Sequence, residues 1–279
     1  MRTLLSAVLF ALLVSLAASA ARIQVEGSDG AAIAAVIEQS TPGDTVAIPA
    51  GTFELDEALA PASNTRIVGA GQGKTILRFT GESPSVFFRL GGVENVELAE
   101  MTLDGAENPN ATQGISGSNA RDLNVHHITV RNLVKGPGFG PHGILFSGKN
   151  PSRKGGVTNS VVSDCRFENI GVDAKFGGAI RLSWGSSHNR ILRNVIEDTG
   201  RGGIFADNGS TDAVIRFNRV KGSGGEGLGI EVWGGCDRAV IEDNTIDHWL
   251  SVGGCSYCAV RRNTIGDRSG VYKFCGIEG

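Results

Sequence analysis

Seven six-residue strings decide the fold: LAEMTL (98–103), VHHITV (125–130), VSDCRF (162–167), ILRNVI (191–196), IRFNRV (215–220), IEDNTI (241–246) and VRRNTI (260–265). Each is apolar at its first and last position. The fourth position reads Met101, Ile128, Cys165, Asn194, Asn218, Asn244, Asn263. Their starts are 27, 37, 29, 24, 26 and 19 residues apart. Periods in the twenties indicate stacked units that bury their apolar faces only against their neighbours. Within a string, positions four and six share a face and position one is out of phase with them. A straight strand alternates faces strictly, so the chain must turn a corner inside each string. Asparagine tolerates the left-handed conformation such corners need. Stacked corners bring the four asparagines to the interstrand spacing of roughly 4.8 Å, where each amide can bond to the next. They are read as a structural ladder, not as catalytic groups.

The rest of the chain agrees. Apolar residues alternate with period two in AIRLSW, GIFADN and GIEVWG, as strands do. Glycine supplies 41 of 279 residues, about twice ordinary usage, with no collagen triplet or linker run. That glycine belongs at turns. With 26 basic and 29 acidic residues, nothing points to nucleic acid or to a polybasic membrane contact. GAGQGKT (69–75) superficially suggests a phosphate loop, but its spacing is wrong and no helical pattern follows it; it reads as a coil turn. At the N-terminus, Arg2, the apolar run Leu4 to Leu16 and Ala18-Ser19-Ala20 have the form of an export signal. The expected organisation is a signal peptide over 1–20 and one domain over 21–279, with no membrane span after cleavage.

At this point the chain resembles the right-handed parallel β-helix proteins of the pectate-lyase superfamily. DGAAIAAVIEQSTPGDTVAIPAGTFEL (29–55) looks like that superfamily's N-terminal signature, a helix capping the stack and then a first strand. Ile33, Val36 and Ile37 form the helix's apolar face. NTRIVGAGQGKTILRF (64–79) reads as the first full coil. The fold expected is all-β, a single right-handed parallel β-helix of about 8–9 coils with an N-terminal capping helix. GVYKFCGIEG, the last ten residues, reads like the opening of another coil, so the stack is either truncated or covered by something else. The cysteines are Cys165, Cys236, Cys255, Cys258 and Cys275. Cys236 and Cys255 share the 19-residue offset of Asn244 and Asn263, which puts them on neighbouring rungs and predicts a disulfide.

Strand alternation also predicts an outer face. Aligning ILFS (144–147), IRLS (180–183), IFAD (204–207) and IEVW (230–233) turns their first and third residues inward. Two outward columns result: Leu145, Arg181, Phe205, Glu231, and Ser147, Ser183, Asp207, Trp233. Long loops entering and leaving these strands bring His142, Lys175, Glu226, Lys149, Arg153 and Lys154 nearby, and long insertions on a rigid stack commonly wall a binding surface. Acid, base and exposed indoles together suit a sugar chain. The expected function is an exported polyuronate lyase acting by β-elimination on an extracellular polysaccharide. Arg181, Lys175 or His142 would be the catalytic groups. Trp184, Trp233, Asn208 and Lys154 would bind substrate. Asp207, Glu231 and Glu226 would hold Ca²⁺ against the developing enolate. Two alternatives stay open. One is an inverting glycoside hydrolase using Asp207 and Glu231. The other is a non-catalytic carbohydrate-binding or adhesin-type β-helix. An epimerase would also use His142, but GPHG (140–143) lacks the Asp-Pro-His-Asp string associated with alginate epimerases.

Overall fold

The structure is a computed structural model, and it describes residues 20–224, 227–268 and 276–278. The export-signal segment, Glu226 and Cys275 lie outside the described residues. Helix Gly30–Gln39 opens the domain. Asp29 caps it, accepting a hydrogen bond from the Ala32 amide at 2.9 Å. Ile33 and Ile37 are buried and Val36 packs beside them, so the helix covers the first rungs of the stack.

Among the described residues the strands of both sheets pair in parallel, rung on rung. An eight-stranded sheet stacks Ser85–Gly91, Ala111–Ser118, His142–Ser147, Gly178–Ser183, Gly202–Asp207, Leu228–Trp233, Trp249–Gly253 and Gly276–Glu278. A seventeen-stranded sheet carries the six-residue strings. It bends at the corner they encode, with Glu97–Asp104 and Asn124–Leu133 running through the bend as single strands. Between the sheets, side chains repeat in columns. Ile144, Ile180, Ile204, Ile230 and Leu250 stack with no exposed surface, which is why the alternation in sequence is so regular. This is the right-handed parallel β-helix with its N-terminal helix.

The corner differs from expectation in one detail. The left-handed residue is the third of each string, not the asparagine: Glu100, His127, Asp164, Arg193, Phe217, Asp243 and Arg262 have φ between 51° and 60°. Most of these are charged, and two pairs offset the strain of the bend across rungs. Arg193 bonds Asp164 at 2.8 and 2.7 Å, and Arg262 bonds Asp243 at 2.7 and 2.9 Å. The turn swings the fourth residue into the core. There the Asn194 side-chain amide donates to Asn218 Oδ1, Asn218 to Asn244 and Asn244 to Asn263, at 3.0, 3.0 and 2.9 Å. Each of these oxygens also accepts the backbone N–H of the asparagine one rung back. Cys165 ends the series, its N–H donating to Asn194 Oδ1 at 3.0 Å.

A second expectation is corrected. Cys236 and Cys255 do stand on neighbouring rungs, with the Cys236 N–H 3.3 Å from Cys255 Sγ, but they form no disulfide. Stacked equivalent side chains run alongside each other and do not meet tip to tip. Cys236 Sγ turns to the Trp233 carbonyl at 3.2 Å and Cys255 Sγ to the Gly253 carbonyl at 3.2 Å.

Candidate functional site

The outward columns of the eight-stranded sheet form the floor of a groove. The register places Leu145 beside Arg181, Arg181 beside Phe205, Phe205 beside Glu231, and Asp207 beside Trp233. Two hollows lie end to end along this floor. One, of about 450 Å³, is lined by Gln113, Phe139, His142, Leu145, Ser147, Arg181, Ser183, Trp184 and Asn208, among others. The next, of about 380 Å³, takes in Phe176, Arg201, Phe205, Asp207, Glu231, Trp233, Trp249 and Ser251. Arg181 and Asn208 belong to both.

Arg181 is held from three sides. Its Nε and one terminal nitrogen reach Asp207 Oδ2 at 2.8 and 2.7 Å. Its guanidinium lies 4.8 Å from the centre of the Phe139 ring, and Phe139 stacks on Phe176 at 4.2 Å with planes 6° apart. Lys175 closes the far side, its ammonium 5.4 Å from the Phe176 ring centre. A cation, two rings and a second cation thus tie the two entering loops together. The other oxygen of Asp207 accepts from the Ser183 hydroxyl and from the Asn208 amide. That places the remaining guanidinium donors of Arg181 at the groove, in a fixed orientation, which is what recognition of a carboxylate requires.

His142 opens its strand one rung before Arg181. Its residue surface is 1 % exposed, and neither ring nitrogen makes a hydrogen bond of ordinary geometry. Burial, reinforced by the Arg181 charge and opposed by the Gly140 backbone, pulls its pKa down to about 3. It is therefore a neutral imidazole at any ordinary pH. The side-chain carbonyl oxygen of its register partner Gln113 is also buried without a partner. Unpaired buried polar atoms are costly, and these residues stand on adjacent rungs of one cavity, which makes them candidates for a site. Glu231 sits at the other end. Burial raises its pKa, while Arg201, 2.8 Å away, pulls the other way and Asp207 adds to the rise.

The remaining candidates scatter. Trp184, Asn208 and Trp233 line the groove. Lys175 lines a neighbouring hollow of about 370 Å³ with Arg201, and Lys154 lines another of about 430 Å³ with Lys149, Ser118 and Ser147. Of the three expected calcium ligands, Asp207 and Glu231 share one hollow and Glu226 lies outside the described residues. Both oxygens of Asp207 and one of Glu231 are committed to arginine, serine or amide donors. No group of three His, Cys, Asp or Glu side chains among the described residues is placed to hold a cation. Sequence reasoning missed Arg201, Phe139, Phe176, Gln113 and Trp249. The aromatic residues inside the Gly-Pro loop were the legible signal for Phe139; Arg201, in a turn of glycines, left none.

The comparisons agree with this architecture. Residues 110–248 match the family model described as a right handed beta helix region. The chain is 28% identical over 247 residues to the mannuronan C5-epimerase AlgE2 of Azotobacter vinelandii, which covers 78% of this chain and 22% of that protein. It is 27% identical over 235 residues to the pre-neck appendage protein of Bacillus phage phi29, covering 75% and 26%. The chain thus spans about a quarter or less of these curated relatives. Among solved structures, the alginate lyase from Paenibacillus sp. str. FPU-7 superposes with a TM-score of 0.66 over 92% of this chain and 97% of that one, at 13% identity. The A-module of the mannuronan C-5 epimerase AlgE6 of Azotobacter vinelandii gives 0.60 over 86% and 72%, at 18% identity. By its coil topology and by these matches, the chain has the right-handed parallel β-helix fold.

Proposed function

We propose that this is an exported enzyme that removes the proton α to the carboxylate of a uronate within an extracellular polysaccharide, with β-elimination as the outcome. The observation that carries the reading is the buried, unpartnered, neutral imidazole of His142 one rung from an arginine fixed at a groove. Arg181 is a poor base, because it is an arginine and is paired with a carboxylate. It takes the other role, binding the uronate carboxylate and stabilising the enolate through its free donors. A His142 nitrogen accepts the C5 proton. The C–H electron pair becomes the new C4–C5 double bond, the C4–O4 bond breaks, and the leaving oxygen takes up a proton. His142 is almost wholly buried in a hollow that it shares with residues 137–140, so its surroundings must yield when substrate arrives. Asp207 and Ser183 position Arg181. Lys175 stands apart from the reacting atoms. Trp184, Trp233 and Asn208 bind neighbouring sugars, with Lys154 at the rim.

In this reading Arg181 supplies the charge that calcium was expected to supply; addition and chelation of calcium test that substitution. Hydrolysis by Asp207 and Glu231 is less well supported, because Asp207 is committed to donors on both oxygens. A second outcome of the same first step is favoured by the likeness to mannuronan C5-epimerases: the proton returns to the opposite face and no bond to O4 breaks. Incubation with a panel of polyuronates in D₂O separates these cases. Elimination gives the ultraviolet absorbance of an unsaturated uronate, whereas epimerisation gives deuterium at C5 with the chain intact. Binding with neither signal would refute the catalytic reading and leave a scaffold, as the phage appendage relative would suggest. Export is inferred from residues 1–20 and is tested by N-terminal sequencing of protein recovered outside the cytoplasm.

A further inference from the structure

The groove changes character beyond Arg181. Trp233 ends its strand and lays its indole on the next rung: a Cβ built at Gly253 would stand 2.0 Å from Trp233 Cζ3 and 2.2 Å from Cε3. Glycine at 253 is thus the seat of the ring. Even so supported, Trp233 is 52 % exposed, a flat apolar platform that the fold itself does not cover. Phe205 and Trp249 line the same hollow. Its four charges cancel in pairs, Arg181 with Asp207 and Arg201 with Glu231, at 2.7 to 2.8 Å. A uronate here would set a third carboxylate beside Asp207 and Glu231, with the Arg201 charge already offset by Glu231 and the free donors of Arg181 given to the uronate of the neighbouring hollow. An uncharged ring meets no such penalty, and its C–H face suits an indole.

We propose that this hollow is a subsite for an uncharged sugar ring seated on Trp233, so that the substrate is a mixed polymer in which uncharged sugars flank the uronate. The proposal rests on the reading of Arg181 as the uronate site and adds the identity of the neighbouring sugars. Glu231 and Arg201 then serve as hydrogen-bonding partners for hydroxyls, and Trp233 as the stacking surface.

The test is calorimetric titration of the full chain with two oligosaccharides of equal length. One is all uronate, and the other carries a single uronate flanked by uncharged sugars. The mixed oligosaccharide is expected to bind about tenfold more tightly. Trp233→Ala, which removes the platform, and Gly253→Ala, which keeps the indole but unseats it, should each erase that preference, bringing the two affinities together. Equal binding of the two by the parent overturns the proposal. So does a preference that survives both variants. Arg181→Ala separates the two readings: it should weaken both oligosaccharides. If neither oligosaccharide binds the parent, the uronate reading of Arg181 fails and the proposal falls with it.

Discussion

Replacing His142 by leucine should make the protein more stable in mild acid while abolishing its activity, and the size of the effect follows from burial. In the folded chain the imidazole protonates only near pH 3, against 6.5 for an ordinary histidine. Below pH 6.5 the unfolded chain takes up a proton that the folded chain refuses until about pH 3. Stability is therefore complete above pH 6.5 and falls as pH falls through that window. At pH 5 the loss is about 2 kcal/mol, from the roughly 1.4 kcal/mol per unit that linkage assigns to one proton. In a chain of this size that is about 4–8 °C of melting temperature. Two other shifted carboxyls do not imitate this signature. Asp212, whose carboxyl Arg238 holds down at about 2, contributes stability that is lost only below pH 3.8. The raised Glu231 carboxyl has the opposite sign, since its stabilising protonated form is lost as pH rises. His142→Leu also removes two unpaired nitrogens, which by itself is neutral or stabilising.

The measurement is urea unfolding of parent and variant at pH 8, 7, 6 and 5, with histidine proton resonances followed in the native parent over the same range. The two stability curves should diverge by about 2 kcal/mol between pH 8 and 5, and the His142 resonance should fail to titrate there. Parallel curves, or a His142 that titrates near neutrality, would refute the burial argument and, with it, the poised neutral base.

Four further outcomes can be checked. Asn218→Ala should cost about 2–3 kcal/mol in unfolding free energy, because it strips two donors on Asn194 of their acceptor inside a sealed core; a loss under about 0.5 kcal/mol would show that the ladder bears no strain. Asp207→Asn should lower the rate on an active polyuronate about 10²-fold by freeing Arg181 to swing, with little change in melting temperature, and an unchanged rate would remove Asp207 from the positioning of Arg181. Thiol titration without reductant should label half-exposed Cys255 and Cys258 in the native protein and Cys165 and Cys236 only after unfolding; a pair that stays unlabelled in denaturant would restore a disulfide. Phe139→Ala should speed acylation of His142 by diethyl pyrocarbonate, read by peptide mapping, since it removes the ring that ties the covering loop to Phe176; equal rates would mean that the covering segment is not held by this stack.

What was legible in the sequence was whatever repeats. The corner strings announce themselves because each rung solves the same problem, an apolar interior on both flanks of a bend, and so writes the same answer. The outward columns followed from parity alone, which is why Arg181, Phe205, Asp207 and Glu231 could be aligned before any coordinates. Parity says nothing of reach, however. Asp207 was read as a cation ligand because a lyase needs a charge to meet the developing enolate; that it bonds Arg181 and Ser183, one rung back, only register plus side-chain length could reveal. The left-handed residue was misplaced by one position for a similar reason. Asparagine is the residue expected at such a bend on local grounds, but here its amide has greater worth inside, bonding rung to rung, so the bend falls on whatever precedes it, even Phe217. The loops were least legible. Nothing in GPGFGPH and GVDAKFGG states that Phe139 will find Phe176 across 37 residues of sequence, since the stack exists only once the 37-residue coil has closed and laid both insertions over the same strand. The pattern holds across the molecule. Contacts along the stack are written in the period, contacts across the groove are not, and the chemistry proposed for this protein depends on the second kind.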